Sequence, residues 1–121
     1  MSTSWERIAE RIVDDVVILD LRAHRVSLSD DPGRLVGMIQ QLLDQRWRKI
    51  LLNLLAVQII DSEGLGEIIR GYKATRDAGG MLKLCGARQR LRDLLSTTKI
   101  DRHVDVFDSE PAALESFAAP V

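Results

Sequence analysis

The sequence predicts an α/β domain with a mostly parallel central sheet of four to five strands, an N-terminal antiparallel edge strand and four helices. Three observations carry that prediction. Apolar runs of strand length alternate with single stretches of helical period, the pattern of crossover units feeding a parallel sheet. The run Ile50-Leu51-Leu52-Asn53-Leu54-Leu55 is apolar almost without alternation, as in a strand covered on both faces. The chain also opens with two strand-like segments on either side of Asp14-Asp15, a turn signal that makes them a hairpin.

In chain order, Ile8 to Ile12 supplies the first, mixed strand and Val16-Val17-Ile18-Leu19-Asp20-Leu21 the second, β-branched and more buried. Ala23 to Gly33 has no clear period, and Asp30-Asp31-Pro32-Gly33 predicts a helix start with an aspartate cap and proline in the first turn. Leu35, Met38, Ile39, Leu42 and Leu43 then recur at helical spacing, with an end expected near Arg46 and Trp47 folded back onto the domain. After the Ile50–Leu55 strand, Leu65, Ile68, Ile69, Tyr72 and Thr75 or Arg76 form a second helical stripe, read as core. Gly79-Gly80 stops that helix by supplying positive φ. Met81 to Cys85 is a strand, Leu91, Leu94 and Leu95 mark a short helix, and Val104 to Phe107 is a last short strand. Ser109-Glu110-Pro111 opens a terminal helix carrying Leu114 and Phe117. All 121 residues fit one domain, with an ordered core expected from about residue 5 to 117 and loose ends at Met1–Thr3 and Ala118–Val121.

Composition narrows the function. With 17 basic and 18 acidic side chains the formal charge is −1, and the charges are dispersed, so nothing predicts nucleic-acid binding. No basic segment leads into an apolar one at the N-terminus and no apolar run could span a bilayer, which predicts a cytoplasmic protein without membrane insertion. The single cysteine, Cys85, closes an apolar strand and reads as a core residue. His24 and His103 are far apart and lack clustered partners, so no metal site is expected.

The informative stretch is Asp61-Ser62-Glu63-Gly64-Leu65-Gly66. Asp61 follows a buried strand and precedes an amphipathic helix, a natural N-cap. Ser62 then takes the first helical position, with its hydroxyl at the mouth of the strand–helix turn. Gly64 and Gly66 lie within the first two turns, where glycine costs up to about 1 kcal/mol each against alanine. Close approach of another backbone, from a neighbouring strand or a partner protein, is the simplest reason for them. Local sequence alone favours a plain helix-start serine over a modified one. A serine-hydrolase reading fails, because Ser62 lacks the Gly-x-Ser-x-Gly setting and neither histidine has an evident acidic partner.

This stretch, preceded by Ile50–Leu54 and followed by Gly79-Gly80-Met81-Leu82-Lys83-Leu84, resembles the signature of STAS-domain anti-sigma factor antagonists. Leu94-Leu95-Ser96-Thr97-Thr98-Lys99-Ile100 and Val106-Phe107-Asp108 fit the same pattern, so the resemblance runs from about Val16 to Phe117. It implies a STAS fold and a non-catalytic antagonist without a cofactor of its own. Its partners would be an anti-sigma factor that is also a serine kinase, which brings ATP and magnesium, and a metal-dependent serine phosphatase. It further implies phosphorylation at Ser62, binding of the anti-sigma factor when Ser62 is unmodified, and release of a sigma factor. Asp61, Ser62, Glu63, Gly64, Leu65 and Glu67 are then the expected partner-binding residues. Two features depart from the family: Glu63 stands where many members have a second hydroxyl residue, and Arg22-Ala23-His24-Arg25-Val26-Ser27 lacks the usual glycine. These keep a second possibility in view, a constitutive STAS scaffold subunit of a stress-signalling or lipid-transport complex. A third is a small phosphotransfer or hydrolytic enzyme using Asp61 or Ser62.

Overall fold

The computed structural model describes residues 8–118. The expected loose N-terminal end, the first residues of the expected core and the last three residues of the chain lie outside that range. Strand β1 (Ile8–Val13) turns through Asp14, whose φ is 55°, and returns antiparallel as β2 (Val16–Leu21) with Val13 opposite Val16. An aspartate tolerates this left-handed position better than most residues, which is why a two-residue turn closes here. Strands β3 (Arg25–Val26), β4 (Lys49–Asn53), β5 (Ile59–Ile60), β6 (Met81–Cys85) and β7 (Val106–Phe107) follow. The main sheet has the order β1-β2-β4-β6-β7, parallel throughout except for the first pair. Beside it, β3 and β5 form a separate parallel pair with Arg25 opposite Ile59, which the aperiodic sequence of this region did not predict.

Helices α1 (Arg34–Asp44), α2 (Ser62–Asp77) and α3 (Gln89–Thr97) cover one face of the sheet, and a 3₁₀ turn (Ile100–Arg102) follows α3. Val17, Leu19, Ile50, Leu52, Leu82 and Leu84 point into that layer, against Leu35 and Ile39 of α1, Ile68 of α2, and Leu91 and Leu95 of α3. Helix α4 (Glu110–Ala118) covers the opposite face, where Ala113 and Phe117 meet Val16, Ile18, Leu51 and Cys85. The strict alternation of a strand thus feeds two cores from one sheet. Lys83, only 8% exposed, is held on the α4 side by Ser116 Oγ at 2.8 Å and lies 4.7 Å from the Phe117 ring centre. Arg11 of β1 bridges Asp20 of β2 and Glu110 of α4 at 2.5 Å each, and Asn53 of β4 donates to Asp20 at 2.9 Å. This network fastens the edge hairpin and α4 to the sheet. Burial pushes the Cys85 thiol up to about 11, so it behaves as a core residue.

Two helices differ from their sequence readings. Helix α1 begins at Arg34, not within the aspartate pair, because Gly33 takes φ 85° as its N-cap and provides no capping side chain. Helix α2 turns a different face inward: Gly64, Glu67, Ile68, Gly71 and Thr75 are buried, while Leu65, Ile69 and Tyr72 lie half-buried at the core's edge. Small residues face α1 because the two helices are close; a Cβ on Gly71 would sit 2.5 Å from Ile39 Cδ1. Thr75 satisfies its buried hydroxyl by donating to the Gly71 carbonyl at 2.8 Å.

Candidate functional site

The site is built where β5 runs into α2. The pairing of β3 with β5 brings the Val26 carbonyl to the Asp61 amide, 3.0 Å away, and lays the segment after β3 across the start of α2. Asp61 is the N-cap, extended at φ −80° and ψ 174°, with Oδ1 accepting the Gly64 amide at 2.8 Å. Its second oxygen accepts from the Ser29 amide at 3.0 Å and the Ser27 hydroxyl at 3.2 Å. Partial desolvation acts to raise this carboxyl, but the amides of Ser29, Gly64 and Leu28 outweigh it and hold the pKa at about 2. Asp61 is therefore ionised and engaged on both oxygens, a brace between a loop and a helix rather than a free acid.

Ser62 is the first residue of α2 and is exposed. Beside it Glu63 is half-buried and pairs with Arg70 Nη2 at 2.8 Å. Leu65 is half-buried, one turn further on. The structure thus gathers Asp61, Ser62, Glu63 and Leu65 on one accessible corner, flanked by exposed Ser29, whose amide binds Asp61.

Two residues expected on this surface are elsewhere. Gly64 is buried, and what approaches it is a side chain, not a backbone: a Cβ there would lie 2.5 Å from Ile60 Cγ1. Gly66 has no such neighbour beyond the flexible end of Arg70, at 3.1 Å. Glu67 is 0% exposed and cannot meet a docking protein. Its Oε1 accepts the Leu35 and Val36 amides at 2.7 and 3.1 Å, and its Oε2 accepts the Gly33 amide at 2.9 Å. The carboxylate from α2 thereby caps α1, supplying what the α1 sequence lacks. Burial raises the pKa of Glu67, and nearby Glu63 adds to the rise, against the lowering effect of the three amides. Sequence reasoning missed Ser27, Ser29 and this cap because each partnership joins residues about thirty positions apart, with no local signal.

Among the described residues there is no cluster of three or more His, Cys, Asp and Glu side chains suited to a metal ion. Among the same residues no helix is long and apolar enough to cross a membrane. The site therefore offers an accessible hydroxyl at a helix N-terminus, carried on a braced loop–helix corner. Added negative charge there would meet the free amides and positive end of α2.

Comparison with known proteins agrees with the fold. The profile of the STAS domain matches residues 3–113. A Thermotoga neapolitana protein named as an anti-sigma factor antagonist is 33% identical over 105 residues, 87% of this chain and 92% of its own length. A Thermotoga maritima crystal structure described in the same terms has a TM-score of 0.79 at 28% identity, over 96% of this chain and 98% of its own. The phosphorylated form of the Bacillus cell fate determinant SpoIIAA shares the fold, with a TM-score of 0.69 at 14% identity over 90% of this chain and 97% of its own.

Proposed function

The chain belongs to the STAS domain family, and from that premise we propose that it acts as an anti-sigma factor antagonist switched by phosphorylation of Ser62. In this reading the unmodified domain binds an anti-sigma factor that is also a serine kinase, and the docking surface is the corner of Asp61, Ser62, Glu63 and Leu65. A metal-dependent phosphatase resets it. The domain performs no catalysis itself. The observation that carries the reading is the exposure of Ser62 at the first position of α2, beside a capping aspartate whose oxygens are already occupied.

A phosphoryl group brings about −1.5 to −2 charges at neutral pH. The fold accommodates them, because the hydroxyl faces solvent and the helix N-terminus favours anions. The complex does not: the phosphate would lose water inside the contact and stand beside Asp61 and Glu63. A penalty of about 3 kcal/mol there corresponds to roughly 100-fold weaker binding. Glu63, a fixed charge next to the acceptor, favours one alternative, a constitutive scaffold whose partner is selected for a permanently acidic corner. Incubation with ATP and a candidate anti-sigma factor kinase, followed by mass spectrometry, separates the two. The switch predicts one phosphate on Ser62 that is absent from Ser62→Ala; binding without any phosphate supports the scaffold.

A further inference from the structure

The stripe Leu65, Ile69 and Tyr72, which the sequence places in the core, is left half-open along the outer flank of α2. It forms one wall of a groove of about 390 Å³, whose other wall is the end of α3 and the 3₁₀ turn, with Ile100 at the floor. Lys73, Arg76 and Lys99 rim the groove together with His103, and no acidic residue is among the described residues that line it. In a chain of net charge −1 this one-signed rim is a local feature. Arg76 lies 5.8 Å from the Tyr72 ring centre and touches Asp77 only at 3.5 Å, both partners of that ion pair being exposed. A smaller cavity of about 240 Å³ shares Tyr72, Arg76 and His103 and continues the groove to Met81, an apolar side chain 38% exposed; Asp105 lines this extension, so the one-signed rim belongs to the larger groove alone. Leu65 begins the groove one turn after Ser62, and from there to Arg76 the rise of a helix gives about 16 Å.

We propose that this groove between α2 and the α3–3₁₀ segment docks an acidic amphipathic helix of a partner protein. An apolar floor takes the i, i+3, i+4, i+7 side chains of such a helix, and the cationic rim takes the carboxylates that flank them. The length of the groove suits about three turns. The rim excludes basic segments by like-charge repulsion, so it confers choice of partner as well as attraction. Because the groove adjoins the Ser62 corner without including Ser62, it provides a second contact whose occupancy does not require that serine.

Two fluorescein-labelled peptides of eighteen residues test this. Both carry leucines at helical a and d spacing, one with glutamates and the other with lysines at the remaining positions. Anisotropy and ¹⁵N chemical-shift mapping are recorded on the full chain at low salt. The glutamate peptide should bind at least tenfold more tightly than the lysine peptide and shift the amides of Leu65, Ile69, Tyr72 and Ile100. Lys73→Glu combined with Lys99→Glu, two exposed positions, should reverse the preference, with an unchanged circular dichroism spectrum showing that the variant is folded. Ser62→Ala should bind the glutamate peptide as wild type does, so failure of the phospho-switch and failure of the groove are read separately. Equal binding of the two peptides, binding of neither, or shifts confined to another face overturns the proposal. So do groove shifts with decanoate but not with the glutamate peptide, which would make the groove a small-amphiphile site, and so does a dimer in sedimentation that buries it.

Discussion

Replacing Glu67 by alanine removes the side chain that caps α1 from outside. The three amides it serves differ in setting: Leu35 is buried, while Gly33 and Val36 are partly accessible to water. A buried amide left without a partner costs about 1–3 kcal/mol, and partly hydrated ones fall at the low end. Relief of the carboxylate's desolvation offsets a fraction of this, and the methylenes lost from a closed site restore it. The expected net loss is about 3–4 kcal/mol. At roughly 2.1 cal/mol/K of unfolding entropy per residue, that is a fall in Tm of about 12–16 °C for a chain of this size. Glu67→Gln keeps one carbonyl oxygen for Leu35 and Val36 and loses only the Gly33 bond, a cost of about 1 kcal/mol. The pH dependence has a defined sign. Because the folded pKa of Glu67 is raised, its protonated form favours the fold below the ordinary carboxylate range, and that component is lost as pH rises through the raised value. Wild type should therefore gain on Glu67→Gln as pH falls. Urea unfolding followed by circular dichroism measures all three proteins. Alanine and glutamine variants of equal stability, both within 1 kcal/mol of wild type, would refute the cap.

Asp61 has the opposite sign. Its pKa falls from an ordinary 3.8 to about 2, so its contribution is present above the ordinary value and is lost as pH falls through the folded one. After allowance for partial exposure that is about 1–2 kcal/mol. Asp61→Asn should show the deficit at pH 7 and lose it near pH 2, and a deficit independent of pH would count against the bracing role. The glycines of α2 divide by what surrounds them. Gly66→Ala should stabilise the domain by up to about 1 kcal/mol, as alanine favours a helix. Gly64→Ala should instead destabilise it by about 1–2 kcal/mol, since displacing Ile60 outweighs the gain in propensity. Thermal melts of the two variants that move in the same direction would show the difference in their surroundings to be without consequence.

How much of this was legible in the sequence depends on the range of the interaction. Strand and helix order followed from patterning that each segment carries within itself, as in Val16–Leu21 or Leu35–Leu43. The Asp61 cap was legible for the same reason, since its Gly64 partner is three residues away. The face of α2 was misjudged because hydrophobicity alone favours Leu65, Ile69 and Tyr72, whereas packing against Ile39 of α1 selects Gly71. Glu67 looked like a surface acid on the same grounds. Only the fold, by bringing the bare N-terminus of α1 across thirty residues, gives that carboxylate something to bind. Gly33, which lacks a capping side chain, was the one hint of an external cap.

Everything regulatory here reduces to whether charge at position 62 ejects a docked protein without disturbing the domain that bears it. Calorimetric titration of the anti-sigma factor into unmodified protein, and into protein carrying phosphoserine at position 62, measures that directly. About 100-fold weaker binding of the phosphorylated form is expected, with the two melting temperatures within a few degrees. Equal affinities, or a phosphorylated form that binds poorly only because it unfolds, would contradict it.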